Sequence, residues 1–266
     1  MQDESTPEAL ARQPLRRLHL LYHEVTLGRK EYSYSIEREQ FERHIDLFVQ
    51  MRKAQRLDLW PEVTFDDGDI SNFEVALPVL QPRSLIARFF ITAGWTGKRA
   101  GYMDWPELRS LHASGQLIGA HGWSHTLLTH CTKKELDREL SGARLLLEDK
   151  LGDSITTMSL PGGRYNQRVL AACREAGYSK IYTSEPSAEQ ALDQYMVGRL
   201  NIRGDMTLDW IQSVFEPGSR VLSGLERQYR VKATAKKLLG DRLYEKFWAV
   251  LNRKEPGTRD GGETAA

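Results

Sequence analysis

The 266-residue chain has few cysteines and almost no net charge, and each scarcity excludes a class of protein. Its two cysteines, Cys131 and Cys173, are too few for the disulfide framework of a small secreted domain. The formal net charge is +1, so composition gives no electrostatic argument for nucleic acid binding. No run approaches the roughly 18 apolar residues of a membrane-spanning helix. What is left is a globular chain, whose 40% hydrophobic residues suffice for a sizeable core.

The N-terminal segment MQDESTPEALARQPLRR lacks the apolar core of a signal peptide. If Met1 is the true start, this absence predicts a soluble, cytoplasmic protein. We expect residues 1–15 to form a flexible arm, residues 16–222 the main domain, and residues 223–266 a basic helical extension and tail.

From residue 18 to residue 215, short β-prone runs alternate almost strictly with longer amphipathic runs. The β-prone runs are LHLLY, PEVTF, LIARFFIT, QLIGAH, TTMSL, KIYTS and YMVGRLNI. Ser35 is expected to cap a helix that runs to about Gln55, and the capping box TKKE at Thr132 to open another that runs to about Leu151. Such alternation predicts an α/β fold with a parallel sheet, either open or closed into a barrel. In both forms, functional groups gather at the C-terminal ends of the strands.

Residues 224–253 are basic and carry an apolar stripe that includes Leu239, Leu243 and Phe247. The preferred interpretation is one or two helices packed on the main domain. The alternative is a helix that lies on an anionic membrane surface, which would make the protein membrane-peripheral. Gly240 and Asp241 interrupt the pattern and weaken both interpretations.

The stretch TFDDG (64–68) places Asp66 and Asp67 side by side after a predicted strand. Taken alone, Asp and Gly at a strand end indicate a turn. At the C-terminal end of a strand in an α/β alternation, however, both carboxylates can approach one site. A cation would remove their repulsion, so that one aspartate binds the metal and the other remains free as a base.

A second feature, GAHGWSH, places His121 and His125 four residues apart after another predicted strand. Taken alone, two such histidines are ordinary surface or core residues. Together with one aspartate, two neutral imidazoles make a three-ligand site with a position open for water or substrate, as in catalytic zinc sites. His130 is a possible further ligand, but we interpret it as a bystander.

Two more features follow predicted strands. SLPGGRYN (159–166) is either a Pro-Gly turn or a loop whose backbone N–H groups approach a substrate and stabilise an oxyanion. His23, in LLYHEV, ends the first predicted strand. A lone histidine is usually structural, but with parallel strands His23 faces the same end of the sheet as Asp66, Asp67, His121 and Pro161.

Together these residues resemble the polysaccharide deacetylases of carbohydrate esterase family four, the NodB homology domain, over roughly residues 18–215. The resemblance implies a distorted (β/α) barrel with a C-terminal helical extension. TFDDG matches the first family motif, which implies Asp66 as general base and Asp67 as metal ligand. HGWSH matches the second motif, with Gly122 in its Ser/Thr position, which implies His121 and His125 as the other ligands. LPGGRYN resembles the third motif and implies a substrate or oxyanion site at Pro161, Gly162, Gly163 and Arg164.

The chain departs from the family pattern in three places. Ser159 occupies the position of the third-motif arginine, the partner of the base, and Arg164 is a candidate substitute. The Asp and Trp pair of the fourth motif has only a weak match in this sequence, at Asp209 and Trp210. The last motif, Leu-x-His, normally lies near the C-terminus and supplies the general acid, whereas here Leu21-Tyr22-His23 lies near the N-terminus. This resembles a circularly permuted branch of the family and nominates His23 as the acid.

The leading hypothesis is a hydrolase that uses a divalent metal, zinc or a similar ion, to remove N-acetyl groups from an acetylated sugar or polysaccharide. An alternative is another C–N hydrolase on the same scaffold, acting on a small amide or cyclic ureide. A third is a non-catalytic carbohydrate-binding protein. The partners expected are an acetylated carbohydrate and, through residues 224–253, a membrane surface, but no nucleic acid.

Overall fold

The computed structural model describes residues 16–28, 32–54 and 59–239. The chain forms two compact units, residues 1–222 and residues 223–266. The arm predicted at residues 1–15 lies outside the described residues.

The strands of the main unit are short, and most of them join one parallel sheet. They are β1 (Arg16–Tyr22), β2 (Glu24–Thr26), β3 (Ser35–Glu37), β4 (Leu59–Phe65), β5 (Arg88–Ile91), β6 (Leu117–Ala120), β7 (Thr157–Ser159), β8 (Lys180–Tyr182), β9 (Met196–Val197) and β10 (Arg199–Asn201). The main sheet has the order β10-β1-β4-β5-β6-β7-β8-β9, and β2 pairs separately with β3. Each predicted strand is present, and the parallel arrangement is confirmed.

The last segment of the sheet closes the barrel. β9 pairs with β8, β10 pairs with β1, and only Gly198 separates β9 from β10. A side chain at Gly198 would overlap the Ser187 side chain and the Glu185 carbonyl, so glycine is required at this shift of partner. Because one short segment joins both edges of the sheet, the predicted distorted (β/α) barrel is confirmed.

Helices of the main unit cover the outside of the sheet. They are α1 (Arg38–Ala54), α2 (Leu77–Leu80), α3 (Trp105–Ala113), α4 (Lys133–Asp137), α5 (Ala143–Leu151), α6 (Gln167–Glu175) and α7 (Leu208–Phe215). A further helix, α8 (Val221–Leu239), leads into the second unit. One π turn, Asn72–Ala76, leads into α2, and another, Arg138–Gly142, joins α4 to α5. Single 3₁₀ turns occur at Gln81–Arg83, Leu128–His130 and Pro161–Gly163. The predicted Thr132 capping box opens α4.

The start of the first helix differs from the prediction. Ser35 lies in β3, where its hydroxyl donates to Glu24, so it does not cap α1. The helix begins only at Arg38 and buries Phe41, Ile45 and Phe48. Pairing of β3 with β2 prevails over helix capping because it gives the segment a backbone ladder.

Two apolar layers hold the main unit together. Phe90, Tyr182 and Val197 form a buried cluster. Phe41 of α1 lies edge-on against Tyr22 of β1, with ring centroids 5.2 Å apart. Burying one such aromatic side chain contributes about 1.5–3 kcal/mol. The two cysteines, Cys131 and Cys173, are free and buried.

In the second unit, α8 ends its described part at Leu239. The predicted stripe of Leu243 and Phe247, and the interruption at Gly240 and Asp241, lie outside the described residues. Across the part of the chain described by the structure, no helix is long and apolar enough to cross a membrane.

Candidate active site

The strand register places the predicted site residues at one end of the barrel. In the β1–β4 pair, Tyr22 is opposite Phe65, so His23 and Asp66 leave neighbouring strands side by side. The Asp66 N–H donates to the Tyr22 carbonyl at 3.1 Å. His121 follows β6, and its N–H donates to the Ile91 carbonyl at the end of β5, at 2.8 Å.

Asp67, His121 and His125 bring three potential ligand atoms within 4.8 Å of one another. Asp67 Oδ1 lies 3.3 Å from Nε2 of His121 and 3.3 Å from Nε2 of His125. This oxygen is buried, yet it makes no hydrogen bond of acceptable geometry. A buried acceptor without a hydrogen bond, facing two imidazole nitrogens, fits a divalent cation such as zinc. His130 is exposed and lies outside the cluster.

The orientation of His121 is set by its other ring nitrogen. His121 is 2% exposed, and its Nδ1 lies 2.9 Å from the Ser159 carbonyl. A carbonyl can only accept, so Nδ1 carries a proton, and Nε2 is the ring nitrogen that faces Asp67. Such a second hydrogen bond is the usual way in which a protein orients a metal-binding histidine.

Two of the three candidate ligands have left-handed backbone conformations. Asp67 has φ = 75° and His125 has φ = 61°. Positive φ is uncommon outside glycine, and when the surrounding structure maintains it, it often marks a functional site. Here the Thr92 N–H donates to the Asp67 carbonyl at 3.2 Å, which ties the strained turn to the end of β5.

The loop that joins His121 to His125 is held by Glu139, a buried residue of the π turn between α4 and α5. The Glu139 carboxylate accepts from the N–H groups of Trp123 at 2.8 Å and Ser124 at 3.0 Å, and from the Ser124 hydroxyl at 2.6 Å. Gly122 has φ = 79°, and a Cβ there would approach Glu139 Oε2 to 3.0 Å. Glycine in the Ser/Thr position of the second motif therefore has a conformational and a steric cause.

Asp66 is clamped by Arg199 of β10. The guanidinium donates through Nη1 to Oδ1 at 2.7 Å and through Nη2 to Oδ2 at 2.8 Å. Ser159 donates to Oδ2 at 2.9 Å and itself accepts from Arg199 Nη2 at 2.7 Å. Arg199 is 0% exposed and Asp66 is 3% exposed. The expectation that Arg164 replaces the third-motif arginine is wrong, because Arg199 occupies both oxygens of the base.

The Arg199 ion pair determines the charge of Asp66. Burial opposes ionisation, but the Arg199 guanidinium and His121 outweigh it and hold the pKa of Asp66 well below its usual range. Burial likewise opposes ionisation of Asp67, yet His121 and the other nearby histidines lower the pKa of Asp67. Both carboxylates are therefore ionised at neutral pH.

The charges of the two nearby aspartates affect the pKa of His23. Burial lowers the pKa of His23, and the nearby Asp67 and Asp66 only partly offset this effect. Its Nδ1 is buried without a hydrogen bond. Asn72 fixes the backbone at this point by donating to the His23 carbonyl at 2.7 Å. At neutral pH His23 is neutral, with one ring nitrogen available.

The predicted substrate loop forms a tight turn. Pro161–Gly163 is a 3₁₀ turn in which the Gly163 N–H donates to the Leu160 carbonyl at 2.8 Å. That N–H is used within the turn, so Gly162 is the better candidate for a free donor. The ring of Pro161 lies beside Gly122, because a Cβ at Gly122 would meet Pro161 Cγ at 3.5 Å. The turn is thus adjacent to the histidine loop.

Aromatic side chains flank the cluster on two sides. Tyr34 lies 5.3 Å from His23, and Tyr32 lies 5.2 Å from Tyr34. On the other side, Trp95 lies 5.4 Å from His125 and 4.7 Å from Tyr102, measured between ring centroids. The predicted fourth-motif pair, Asp209 and Trp210, lies in the first turn of α7.

Arg199 and Glu139 are the residues that sequence reasoning missed. Arg199 carried a signal, because it is the single charged residue in the apolar run YMVGRLNI, and a buried charge needs a partner. The sequence around Glu139 gave no such signal, because Glu139 lies in a helical segment rich in charged residues.

One end of the α/β barrel thus combines a candidate metal site with an ion-paired carboxylate. Residues 62–181 match the family model described as polysaccharide deacetylase. This region of the chain is similar to polysaccharide deacetylases, which are hydrolases that act on carbon–nitrogen bonds other than peptide bonds.

Individual proteins and one solved structure are similar to this chain. The polysaccharide deacetylase homologue YxkH of Bacillus subtilis (strain 168) is 24% identical over 219 residues, 76% of each chain. Chitin deacetylase 1 of Cryptococcus neoformans var. grubii is 29% identical over 120 residues, 45% of this chain and 24% of that protein. The structure of the Streptococcus pyogenes deacetylase PplD in complex with acetate superposes with a TM-score of 0.67 at 17% identity. The superposition covers 77% of this chain and 100% of the Streptococcus pyogenes chain. Assignment to a circularly permuted branch stays a prediction.

Proposed function

We propose that this protein removes N-acetyl groups from an N-acetylated sugar polymer by metal-assisted hydrolysis. The observation that carries the proposal is the convergence of two groups at one barrel mouth. One is the Asp67, His121 and His125 cluster, and the other is the carboxylate of Asp66, which Arg199 keeps ionised. The match of residues 62–181 to the polysaccharide deacetylase family model and similarity to a protein named chitin deacetylase support the choice of substrate.

In this proposal, Asp67, His121 and His125 hold zinc or a similar divalent cation. When bound, the cation supplies a Lewis acid that polarises the amide carbonyl and acidifies water. Asp66, which Arg199 keeps ionised, takes a proton from the attacking water. The Gly162 N–H donates to the oxygen on which negative charge develops.

His23 is assigned to the leaving amine. An amine anion is a poor leaving group, so a proton must reach the nitrogen before the C–N bond breaks. Because burial lowers the pKa of His23, this side chain rests neutral. The proton that Asp66 takes from water during the attack therefore passes to His23, which donates it to the amine nitrogen. Atoms balance, since water supplies the hydroxyl group of acetate and one proton of the amine.

The bidentate Arg199 pair favours catalysis over carbohydrate binding alone. A serine in the third-motif arginine position suggested a protein that had lost the support of its base. With Arg199 bound to Asp66 instead, that reason for a non-catalytic role no longer holds. A binding protein has no use for a buried, ion-paired base beside a candidate metal site.

The test is acetate release from N-acetylated chitooligosaccharides by the full chain supplied with zinc. Asp66→Asn and His23→Ala should each lower the rate by about 10²–10⁴-fold while bound zinc is retained. Full activity in either variant would refute the role assigned to that residue. Oligosaccharide binding without acetate release would favour the non-catalytic alternative, and turnover of small amides or cyclic ureides alone the second hydrolase class.

A further inference from the structure

The loop between β5 and α3 forms one wall of the candidate site. It is tied to the Asp66–Ile70 turn by three backbone hydrogen bonds. The Thr92 N–H donates to the Asp67 carbonyl at 3.2 Å, the Ile70 N–H to Gly101 at 2.9 Å, and the Met103 N–H to Gly68 at 3.0 Å. The backbone of the loop is therefore anchored next to the candidate metal ligands.

Arg99 is an exposed cation of this wall that stacks on aromatic rings. Its Cζ lies 4.2 Å from the ring centroid of Trp95 and 4.9 Å from that of Tyr102. Trp95 in turn lies 5.4 Å from the imidazole of His125. A single indole ring thus separates the guanidinium from a candidate metal ligand.

The charge of Arg99 has no internal partner in the described part of the chain. No carboxylate forms an ion pair with it there, and its guanidinium donates no hydrogen bond there. The nearby acidic side chains are engaged elsewhere. Asp69 accepts from the Ser71 N–H at 2.8 Å, and Asp104 caps α3 by accepting from the Glu107 N–H at 3.1 Å. Five donors remain for water or for a ligand.

Stacking prepares this side chain for recognition. A guanidinium that lies over aromatic rings has lost much of its rotamer freedom, so it forms further hydrogen bonds at a smaller entropic cost. Its edge matches the two oxygens of a carboxylate or phosphate, and such charge-assisted bidentate pairs are among the strongest hydrogen bonds in proteins. A neutral sugar would leave the positive charge unused.

We propose that Arg99 binds an anionic substituent, a carboxylate or a phosphate, on the sugar next to the N-acetylated residue. The inference rests on the proposed deacetylase function and narrows its substrate class to acidic glycans. Arg99 is thereby a specificity-determining residue, one aromatic ring away from the candidate metal ligands.

The test compares substrates that differ only in charge. One pair is an oligosaccharide of alternating N-acetylglucosamine and glucuronic acid and its carboxyl-reduced form. The other is an N-acetylglucosamine disaccharide with a phosphate on the neighbouring sugar and its dephosphorylated form. The wild-type chain should favour the acidic member of at least one pair by about tenfold or more in kcat/KM, mainly through KM, and less at high salt. The pair with the larger preference identifies the anion.

Variants separate recognition from structure. Arg99→Gln should abolish the preference while leaving kcat/KM on the neutral members unchanged. Lys98→Gln is the matched control, because it removes an exposed charge from the same loop, and it should keep the preference. The inference is overturned if wild type does not prefer the acidic members or if Arg99→Gln weakens both members equally. Equal loss of the preference in Lys98→Gln would also overturn it.

Failure of the proposed function gives a different pattern. If no substrate releases acetate, deacetylation is refuted, and calorimetric titration with the two acidic probes then decides the inference. Binding of an acidic probe that Arg99→Gln abolishes would preserve it, whereas no binding or Arg99-independent binding would refute it. Acetate release that is indifferent to charge would support deacetylation and refute acidic specificity.

Discussion

Arg199 and Asp66 form a bidentate ion pair across the barrel, with both contacts shorter than 3 Å and both side chains buried. The residues are 133 positions apart in sequence, and β1 separates their strands in the sheet. Ser159 completes the group by hydrogen bonding to both. A buried carboxylate is thus bound by one guanidinium and one hydroxyl.

The first prediction concerns the removal of Arg199. Arg199→Met removes the positive charge that most strongly opposes the effect of burial on Asp66. The pKa of Asp66 should therefore rise. In a plot of kcat/KM against pH, the acidic limb should then move to higher pH. Stability should fall by about 3–5 kcal/mol, the usual cost of breaking a buried pair from one side. Activity profiles and urea unfolding measure the two effects.

Two further variants isolate the cause. Arg199→Met combined with Asp66→Asn should recover part of the lost stability, because no buried charge remains unpaired. Arg164→Met should leave the acidic limb in place. If the limb moved in Arg164→Met and not in Arg199→Met, our assignment of the partner of the base would be wrong.

Much of the site could be predicted from sequence because parallel strands end at one edge. Asp66, Asp67, His121 and His125 each follow an apolar run, and that position alone predicted that they would converge. The barrel also followed from alternation together with the family resemblance. These inferences need only local pattern and one topological rule.

Arg199, Glu139 and Ser35 show where sequence reasoning stopped. Pairing of Arg199 with Asp66 depends on the shift of strand partner at Gly198, which no local pattern encodes. Glu139 reaches the histidine loop from a π turn within a helix, and the sequence there indicates only a charged helix. Serine is a common helix N-cap residue. Ser35 instead lies in the short strand β3, which pairs with β2, an earlier segment of the chain.

The second prediction concerns the candidate metal ligands. His125→Ala should weaken zinc binding by about 100-fold or more, because loss of a ligand should cost at least as much as loss of an outer-shell partner. His130→Ala is the matched control, since His130 is a nearby histidine outside the cluster, and it should keep its zinc. Zinc content by elemental analysis and competitive titration measures the difference. Equal zinc content in the two variants would exclude His125 as a ligand.

The third prediction concerns Glu139. In Glu139→Gln, a neutral amide replaces a carboxylate that accepts from Trp123 N–H, Ser124 N–H and the Ser124 hydroxyl. The loop between His121 and His125 should then position the two imidazoles less accurately, and zinc affinity should fall by about 10–100-fold. Glu135→Gln changes an exposed acid in the same helical segment and should leave zinc affinity unaltered. Unchanged affinity in Glu139→Gln would refute the positioning role.

The last prediction is a pH dependence of stability from His44, a fully buried histidine of α1 whose Nδ1 lies 3.1 Å from the Tyr22 hydroxyl. Burial lowers the pKa of His44 from 6.5 to about 4, so folding favours its neutral form. The contribution is complete above pH 6.5 and is lost as pH falls towards 4, with a slope of about 1.4 kcal/mol per pH unit. His44→Gln should remove this part of the slope in urea unfolding. Tyr22→Phe should lower stability by about 1 kcal/mol at every pH yet keep the slope, because burial, not the hydrogen bond, lowers the pKa of His44. A slope that survives in His44→Gln would assign the acid sensitivity to other buried histidines, among them His19 and His23.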